Sequence, residues 1–414
     1  MSDRRHVVVM VTTSYPRFPG DGVGSFIEPI ARSVAERGHE VHLVAPWHPR
    51  LARAPHEHGV TFHFYRYAPV AALNVFGYAE GLQADTRLRL SAWSAAPLAL
   101  AAGWRTTKRV VRKTRATIVH AHWVIPNGVL AALACGRRPL VVSLHGSDVF
   151  VAERHRPIGA AAAAVFRRAG WITACSDDLR DRAIAIGAPP ARTETVPYGV
   201  DAVRFAPSVE ARQRVRSQRR LGTAPVVFTA GRLVSKKGFE FLIAAARTLS
   251  QRMPTLRVLI AGEGDLRESL TRLAADTGGV VSLVGNQSQD EIAALAAAAD
   301  VIAVPSIRDD AGNVDGLPNF ALEALASATP VVATRVGGLP QAVRHEVTGL
   351  LVPERDATAL AEALGRVLDD RRLGHTLGLA ARQQVQTDFG WGRFAERLET
   401  AYAAASDARA LVAS

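Results

Sequence analysis

Cysteine is scarce in this sequence. Only Cys135 and Cys175 occur among its 414 residues, and they lie far apart, outside any Cys-x-x-Cys pair. This excludes a disulfide framework and a cysteine-rich zinc site, and it fits a reducing compartment. Long apolar runs are also missing: no stretch is long enough to cross a bilayer, and the run at residues 6–11 is too short for a signal peptide. We therefore expect a cytoplasmic globular protein.

Two ligand-binding patterns are absent as well. Aromatic residues make up 6% of the chain, and no stripe combines them with basic residues, so we expect no nucleic acid partner. The first glycine loop reads Gly-Asp-Gly-Val-Gly, which lacks the Gly-x-Gly-x-x-Gly spacing of a nicotinamide dinucleotide site. The formal charge of +12 predicts attraction to anions without choosing among phosphates, nucleic acid and membranes.

Buried strands alternate with helices along the chain. Hydrophobic residues form 48% of it and charged residues 21%, a balance typical of globular proteins. Apolar runs at residues 7–12 and 225–231 each open a series of strand, loop and helix, which is the pattern of a doubly wound parallel sheet. A length of 414 residues predicts two such α/β domains, and we place them at residues 1–204 and 205–388.

The segment at residues 307–338 carries the densest chemistry. Its polar loop runs into a helix opened by Pro318, and the free N–H groups of a helix N-terminus favour an anion such as phosphate. Asp315 and Glu323 lie eight positions apart, which places one carboxylate at the helix mouth and the other about a turn and a half inside. They could hold two ends of one polar ligand; a solvated loop with surface acids is the alternative.

Polar and charged side chains also follow other predicted strands. His145 and Asp148 follow the strand at residues 140–144, and Arg232 and Lys237 follow the strand at residues 225–231. Ligands of open α/β sheets gather at these carboxyl ends, and two cations beside a helix N-terminus suit a diphosphate. A satisfied loop histidine and a basic surface loop are the alternative interpretations.

One histidine pair raises the question of a metal. His120 and His122 share one face of a predicted strand, a spacing that can hold a metal ion. No third ligand is evident in the sequence. We therefore interpret both as structural histidines at a strand end and expect no metal site.

Five ordered elements together resemble the retaining glycosyltransferases of family 4. They are His-Gly-Ser-Asp from His145, Gly-Val-Asp from Gly199, Gly-Arg-Leu with Lys-Gly from Gly231, Asp-Gly-Leu-Pro-Asn-Phe-Ala-Leu-Glu from Asp315, and Val-Gly-Gly from Val336. The resemblance spans nearly the whole chain. The chain departs from the family pattern at Asp315, where glutamate is usual, at Ala328, where glycine is usual, and at Tyr198, where asparagine is usual.

The resemblance implies the GT-B architecture, in which two Rossmann-like domains face each other across a cleft. It also implies that a C-terminal helix, here residues 389–414, packs back on the first domain, which binds the acceptor. It implies retaining transfer of a hexosyl group from a UDP- or GDP-linked sugar to a hydroxyl acceptor, in glycan, glycolipid or cell-envelope polysaccharide synthesis. It also implies that no metal or other cofactor is required. The partners would be a nucleotide-sugar donor and a carbohydrate or lipid-linked acceptor.

The same resemblance assigns the site residues. The catalytic residues would be His145, Asp148, Arg232, Lys237 and Asp315. The donor-binding residues would be Gly22, Gly24, Arg232, Lys237, Gly262, Gly285, Asn286, Asp315, Gly316, Leu317, Pro318, Asn319 and Glu323. In this assignment the cations hold the leaving diphosphate, Glu323 accepts the ribose hydroxyls, and Asp315 holds the sugar hydroxyls.

The acceptor side is the least determined. Residues 46–104 resemble the family least, and we assign acceptor specificity to them. A helix at residues 86–114 ends in a basic stretch, so peripheral contact with an anionic membrane and a surface helix with solvated arginines are both open. Three other functions also stay open: a glycosidase, a GT-B nucleotide-sugar epimerase, and a non-catalytic two-lobed protein that binds sugars or anions.

Overall fold

The computed structural model describes residues 5–68, 70, 74, 77–78, 82–83, 87–88 and 90–413. The chain forms two compact units, one running up to Pro197 and resumed from Trp391, the other spanning Tyr198–Gly390. The first break follows residue 197 rather than the predicted 204, because Val200 N donates to Phe389 O at 2.8 Å and ties this stretch to the second unit.

The first unit contains a mostly parallel sheet. Valine-rich strands fill its middle, and their side chains are buried, as expected for a sheet covered on both faces. Its strands are β1 (Val7–Val11), β2 (Glu40–Pro46), β3 (His56–Glu57), β4 (Val60–Tyr65), β7 (Ile118–His122), β8 (Leu140–Leu144), β9 (Trp171–Ala174) and β10 (Thr193–Thr195). Two further strands, β5 (Leu82–Gln83) and β6 (Arg87–Leu88), form a separate antiparallel ribbon. The strand order is β10-β9-β8-β7-β1-β2-β4-β3, with β3 antiparallel to β4.

Helices connect these strands. They are α1 (Ile27–Glu36), α2 (Leu90–Lys113), α3 (Val129–Ala134), α4 (Ser147–Arg154), α5 (Arg156–Arg168) and α6 (Asp177–Ala185). Ser176 is the N-cap residue of α6, and its side chain accepts a hydrogen bond from Leu179 N.

The second unit repeats the architecture with a fully parallel sheet. Its helices and strands are α7 (Val209–Gln218), β11 (Val226–Ala230), α8 (Phe239–Arg252), β12 (Arg257–Ala261), α9 (Arg267–Ala275), β13 (Val281–Gly285), α10 (Gln289–Ala298), β14 (Val301–Val304), α11 (Asn319–Ala326), β15 (Val331–Thr334), α12 (Leu339–Ala342), β16 (Leu350–Val352), α13 (Ala357–Asp369) and α14 (Arg371–Asp388). The strand order is β13-β12-β11-β14-β15-β16. Ser288 and Glu291 form a capping box at the start of α10.

Two arginines of α7 have a structural role. Arg212 and Arg216 donate to the last carbonyls of α10 and pair with Asp300, which follows that helix. Cations at a helix C-terminus satisfy free carbonyls and favour the dipole. The contacts fasten α7 to α10.

The last helix, α15 (Trp391–Ala413), belongs to the first unit. Tyr402 is fully buried on it, and its hydroxyl lies 3.0 Å from Nδ1 of His120 in β7. Glu399 pairs with Arg37 at 2.7 Å, just after α1. These contacts fix the helix against the first sheet.

The strand orders locate one switch point in each unit. In the first sheet the order reverses between β1 and β7, and in the second between β11 and β14. Loops on either side of such a point diverge, which leaves a crevice at the carboxyl ends of the strands. The loops after β1 and β7 and those after β11 and β14 are therefore where each unit is expected to bind ligands.

Candidate functional site

Two lysines converge on one carboxylate at the switch point of the second unit. Lys236 and Lys237 lie in a 3₁₀ turn, Ser235–Lys237, between β11 and α8. Asp315 lies in the loop after β14. Its Oδ2 is 2.7 Å from Nζ of Lys237 and its Oδ1 is 3.2 Å from Nζ of Lys236. The sequence suggested Lys237 and Asp315; Lys236 was missed, although the adjacent lysines of one tight turn were a visible signal.

The charges around Asp315 decide its protonation. Burial opposes ionisation of this carboxyl, but the ammonium groups of Lys237 and Lys236 outweigh burial and hold its pKa well below the usual range. Asp315 is therefore an anion at every physiological pH. It offers the site a fixed negative charge between two fixed positive ones.

Close backbone contacts hold these loops together. Ile307 N donates to Lys236 O at 2.9 Å. Gly337, from the Val-Gly-Gly element, packs so tightly that a Cβ there would lie 2.3 Å from Asp315 O. Its φ of +55° is also one that favours glycine. Glycine is therefore required at position 337, where the backbone contact helps to position Asp315.

Glu323 lies inside the helix that follows. Pro318 is the N-cap residue of α11, so Gly316 and Leu317 precede the helix and Asn319 begins it. Burial raises the pKa of Glu323 to about 7, although Arg204 and Lys237 and a hydrogen bond from Gln289 act in the opposite direction. Asp315 and Glu323 therefore differ in chemistry as well as position: one is a permanent anion and the other titrates near neutrality.

The remaining predicted donor residues of this unit end neighbouring strands. Arg232 is exposed two positions after β11. Gly262 follows β12, and its N–H donates to the carbonyl of Gly285, the last residue of β13, at 2.8 Å. Asn286 is exposed beyond it. The structure thus gathers the predicted residues of the second unit at the carboxyl edge of one sheet.

In the first unit, the glycine loop after β1 has a fixed shape. Asp21 accepts hydrogen bonds from Arg17 N at 2.9 Å and from Arg17 Nε at 2.6 Å, and both side chains are buried. Gly24 has a φ of +66°, and a Cβ there would lie 2.9 Å from Cβ of Ser14. Gly22 has open space instead, with nothing within 4 Å of an added Cβ. Gly24 shapes the loop, and Gly22 leaves its surface accessible.

His145 follows β8 and is enclosed by aromatic rings from the loops on either side of this unit's switch point. Its Nε2 is 3.1 Å from Nδ1 of His122, and its ring centroid is 4.9 Å from Phe26 and 4.8 Å from Trp123. Burial and the neighbouring His122 hold the pKa of His145 well below the usual range. His145 is therefore a neutral imidazole whose orientation is fixed by its neighbours.

Asp148 is placed beneath that loop. It is 4% exposed, and its carboxylate accepts hydrogen bonds from Val124 N at 2.7 Å and Gly146 N at 3.1 Å. Burial raises its pKa to about 6, and the backbone N–H groups lower it in part. This position fixes the loop that carries His145; a direct contact between Asp148 and a sugar stays a prediction.

The histidine pair of β7 makes its contacts within this unit, although the buried Nε2 of His122 has no hydrogen-bond partner among the described residues. His120 lies 3.0 Å from Tyr402 Oη and 2.7 Å from Ser143 Oγ. His122 contacts His145, a role that the sequence did not suggest because β7 and β8 meet only in the folded sheet. Within the described ranges, no group of three or more histidine, cysteine, aspartate or glutamate side chains has the arrangement of a metal site.

The predicted acceptor region is covered in part. Between residues 46 and 104, positions 69, 71–73, 75–76, 79–81, 84–86 and 89 lie outside the described residues. The predicted helix at residues 86–114 is α2, whose exposed basic residues include Arg105, Arg109 and Arg112. As far as the structure describes the chain, it contains no helix with both the length and the apolar character of a bilayer span.

Two protein-family models match the chain. The model described as Glycosyltransferase Family 4 matches residues 20–204, and the model described as Glycosyl transferases group 1 matches residues 211–384. A GDP-mannose-dependent alpha-(1-6)-phosphatidylinositol monomannoside mannosyltransferase of Mycobacterium tuberculosis is 31% identical over 410 residues, which cover 94% of this chain and 96% of the relative. A D-inositol 3-phosphate glycosyltransferase of Salinispora arenicola is 37% identical over 302 residues, covering 69% of this chain and 63% of that one.

Solved structures resemble the chain over almost its whole length. Anabaena Alr3699/HepE in complex with UDP superposes with a TM-score of 0.75 at 20% identity, covering 96% of this chain and 99% of that one. Sucrose-phosphate synthase from Thermosynechococcus elongatus has a TM-score of 0.77 at 22% identity, covering 99% and 100%. The predicted fold class, two parallel-sheet α/β domains of GT-B type, is confirmed.

Proposed function

Because this chain belongs to the family-4 glycosyltransferases, we propose that it moves a hexosyl group from a nucleotide-sugar to a hydroxyl acceptor with retention of the anomeric configuration. The observation that carries the proposal is the pairing of Asp315 with Lys236 and Lys237 beside α11. This arrangement presents two cations and a helix N-terminus at the switch point of a nucleotide-binding type of sheet. GDP-mannose is the first donor to test, since the mycobacterial relative is named for it, and UDP-sugars are second.

The proposed chemistry follows from the charges that develop during transfer. Breaking a glycosyl phosphate bond builds positive charge on the sugar and negative charge on the departing diphosphate. Lys237 and the exposed Arg232 supply fixed positive charge for that diphosphate, assisted by the N-terminus of α11. In this proposal, cationic side chains perform the neutralisation that a divalent metal performs in other enzymes, so no metal is required.

The carboxylates are proposed to act on hydroxyl groups. Glu323, inside α11, would accept hydrogen bonds from the ribose hydroxyls. Asp315, together with the backbone N–H groups of Gly316, Leu317 and Asn319, would hold hydroxyls of the sugar. Its permanent negative charge suits this role, because an ionised carboxylate is the stronger acceptor.

The first unit is proposed to orient the sugar and the acceptor. His145 is neutral and held by His122, so it can exchange hydrogen bonds with sugar hydroxyls without a change of charge. No carboxylate of the site is assigned as the base that deprotonates the acceptor. We propose that the leaving phosphate accepts that proton as it departs from the same face of the sugar, which retains the configuration.

The test combines binding and turnover. Thermal unfolding is measured with GDP, UDP, ADP, GDP-mannose, UDP-glucose and NAD, each with and without EDTA, since a ligand that binds the native state raises its stability. The proposal predicts stabilisation by one nucleoside diphosphate and its sugar, unaffected by EDTA. Nuclear magnetic resonance of the product must then show the anomeric configuration of the donor. Stabilisation by NAD alone, or an inverted product, would refute the proposal.

A further inference from the structure

An exposed arginine lies on a tryptophan at the carboxyl edge of the first sheet. Trp47 follows β2 and Arg66 follows β4, and these strands are neighbours. Trp47 N donates to Tyr65 O at 2.8 Å, which brings the two segments together. The guanidinium carbon of Arg66 lies 3.8 Å from the centroid of the Trp47 ring. The ring therefore supports the guanidinium group on one face.

A second exposed arginine also lies over an aromatic ring, at a longer distance. The guanidinium carbon of Arg50 lies 5.0 Å from the centroid of Phe18, which belongs to the loop after β1. Ala52 N donates to Arg17 O at 2.7 Å, which ties the Arg50 segment to that loop. Arg50 is three positions after Trp47, so their Cα atoms are at most about 10 Å apart.

Neighbouring arginines show what these two lack. Arg17 pairs with Asp21 at 2.6 Å, and Arg53 pairs with Glu28 and Glu57 at 2.8 Å each. No carboxylate among the described residues forms an ion pair with Arg50 or Arg66. The carboxylates at this edge thus pair with the buried arginines, and the guanidinium N–H groups of Arg50 and Arg66 are available to a ligand.

Stacking orients these donors. An aromatic ring occupies the face of a guanidinium group and leaves its N–H edge free, and that edge matches the oxygens of a phosphate. Two such edges suit a tetrahedral oxyanion better than a single carboxylate, which one guanidinium fork already satisfies.

We propose that Arg50 and Arg66 form a subsite for a phosphate group carried by the acceptor. The inference rests on the proposed transferase function and names its acceptor class: a polyol that bears a phosphate ester. The location supports it, because both arginines lie at the carboxyl ends of β1, β2 and β4, the edge that also presents Gly22. A soluble compound and a lipid headgroup share this phosphate chemistry, and the experiment separates the two sources.

The experiment measures acceptor kinetics with the full-length protein and the donor that stabilises it. One arm uses myo-inositol 1-phosphate with myo-inositol as its neutral counterpart. The other uses phosphatidylinositol in phosphatidylcholine vesicles, with phosphatidylcholine vesicles plus myo-inositol as counterpart. The variants are Arg50→Gln, Arg66→Gln and the double substitution. Arg167→Gln, an exposed arginine in the last turn of α5, is the charge-matched control.

The expected result is a rise of roughly tenfold or more in KM for the phosphate-bearing acceptor with each single variant, since one charge-assisted hydrogen-bonded contact is lost. The loss should lie in KM rather than kcat and should lower the preference for phosphate-bearing over neutral acceptor. Arg66→Lys, which keeps the charge but not the fork, should restore part of it. The arm that responds identifies a soluble or a lipid-borne phosphate.

Two outcomes overturn the inference. One is equal efficiency of the wild-type protein with neutral and with phosphate-bearing acceptors. The other is an unchanged KM for the phosphate-bearing acceptor in a double variant whose melting temperature is also unchanged. Wild-type protein that releases nucleotide from no donor with any acceptor refutes the proposed function itself. The inference then falls with it, so the two failures are distinguishable.

Discussion

Lys237 and Asp315 form an ion pair of 2.7 Å that joins the loop after β11 to the loop after β14. These loops flank the switch point of the second sheet, so the pair lies at the crevice on which the site is built. Both side chains are largely buried, which makes the attraction stronger than between solvated charges. A diphosphate ligand would compete with Asp315 for the same ammonium group.

The first prediction concerns that carboxylate. Asp315→Asn should lower kcat by about 100-fold, because the anion that positions the lysines and the sugar is lost. Stabilisation by the nucleoside diphosphate should persist, since both ammonium groups remain. Steady-state kinetics and thermal unfolding check the two parts. Asp310→Asn, in the same loop with a 95% exposed side chain, is the control and should resemble wild type.

Removal of Arg232 tests the charge that faces the leaving group. Arg232→Ala should reduce kcat by roughly 100- to 1,000-fold, because the side chain stabilises charge that develops on the diphosphate during bond breaking. The substitution is at an exposed position, so the melting temperature should stay close to that of wild type. Arg247→Ala, an exposed arginine of α8, supplies the comparison. Normal turnover by Arg232→Ala would refute the assignment of Arg232 to the leaving diphosphate.

The titration of Glu323 predicts how stability varies with pH. Its folded-state pKa of about 7 lies above the ordinary value of 4.5, so the native state binds the proton more tightly than the unfolded state. This contribution is complete below about pH 4.5 and is lost as pH rises through about 7; its upper limit is about 3 kcal/mol. When pH is raised from 5 to 8, the Glu323→Gln variant should therefore lose less stability than the wild-type protein.

Thermal unfolding without nucleotide across that pH range makes the comparison. Glu362→Gln, at an exposed position of α13, should follow the wild-type curve. Asp148, whose pKa is about 6, adds a slope of the same sign in both proteins. Parallel curves for wild type and Glu323→Gln would contradict the prediction.

Two glycines of one loop provide a matched pair. Gly24→Ala should cost about 1–2 kcal/mol of stability, because alanine at φ +66° is strained and its Cβ would press on Ser14. Gly22→Ala meets nothing within 4 Å and should change stability by less than about 0.5 kcal/mol. Any loss of turnover in Gly22→Ala then reports the approach of a substrate to the loop. Equal destabilisation by both would show that the loop has another shape.

Peripheral binding to the cytoplasmic membrane face is a further prediction. Arg105, Arg109 and Arg112 are exposed at helical spacing on α2, and each basic residue near an anionic surface contributes about 1 kcal/mol. The protein should float with vesicles that contain anionic lipid at low salt and detach at high salt. Replacing the three arginines by glutamine should abolish flotation.

The charge-matched control replaces three exposed arginines of the second unit, Arg214, Arg219 and Arg220. Flotation that is lost equally in both triple variants would indicate attraction by net charge rather than by α2. Absence of flotation of the wild-type protein at low salt would refute the prediction of peripheral membrane binding.

The sequence alone predicted the repeated strand, loop and helix order and the loops that carry the site. Buried strands in a parallel sheet are continuous apolar runs, and the polar loops between them stand out by contrast. The segment around Asp315 and Glu323 could be placed at a helix N-terminus for this reason, and α11 begins there. The sequence also determined which residues are charged, and hence that a cationic site was available.

Only the tertiary structure decided which of these residues meet. Lys236 reaches Asp315, His122 holds His145, and Arg66 lies on Trp47, yet in each pair the partners come from different strand ends. Periodicity records whether a side chain is buried, but not which distant segment covers it. The protonation of Asp315 and Glu323 depends on those neighbours and on burial, so two similar side chains acquired opposite pKa shifts only once the chain was folded.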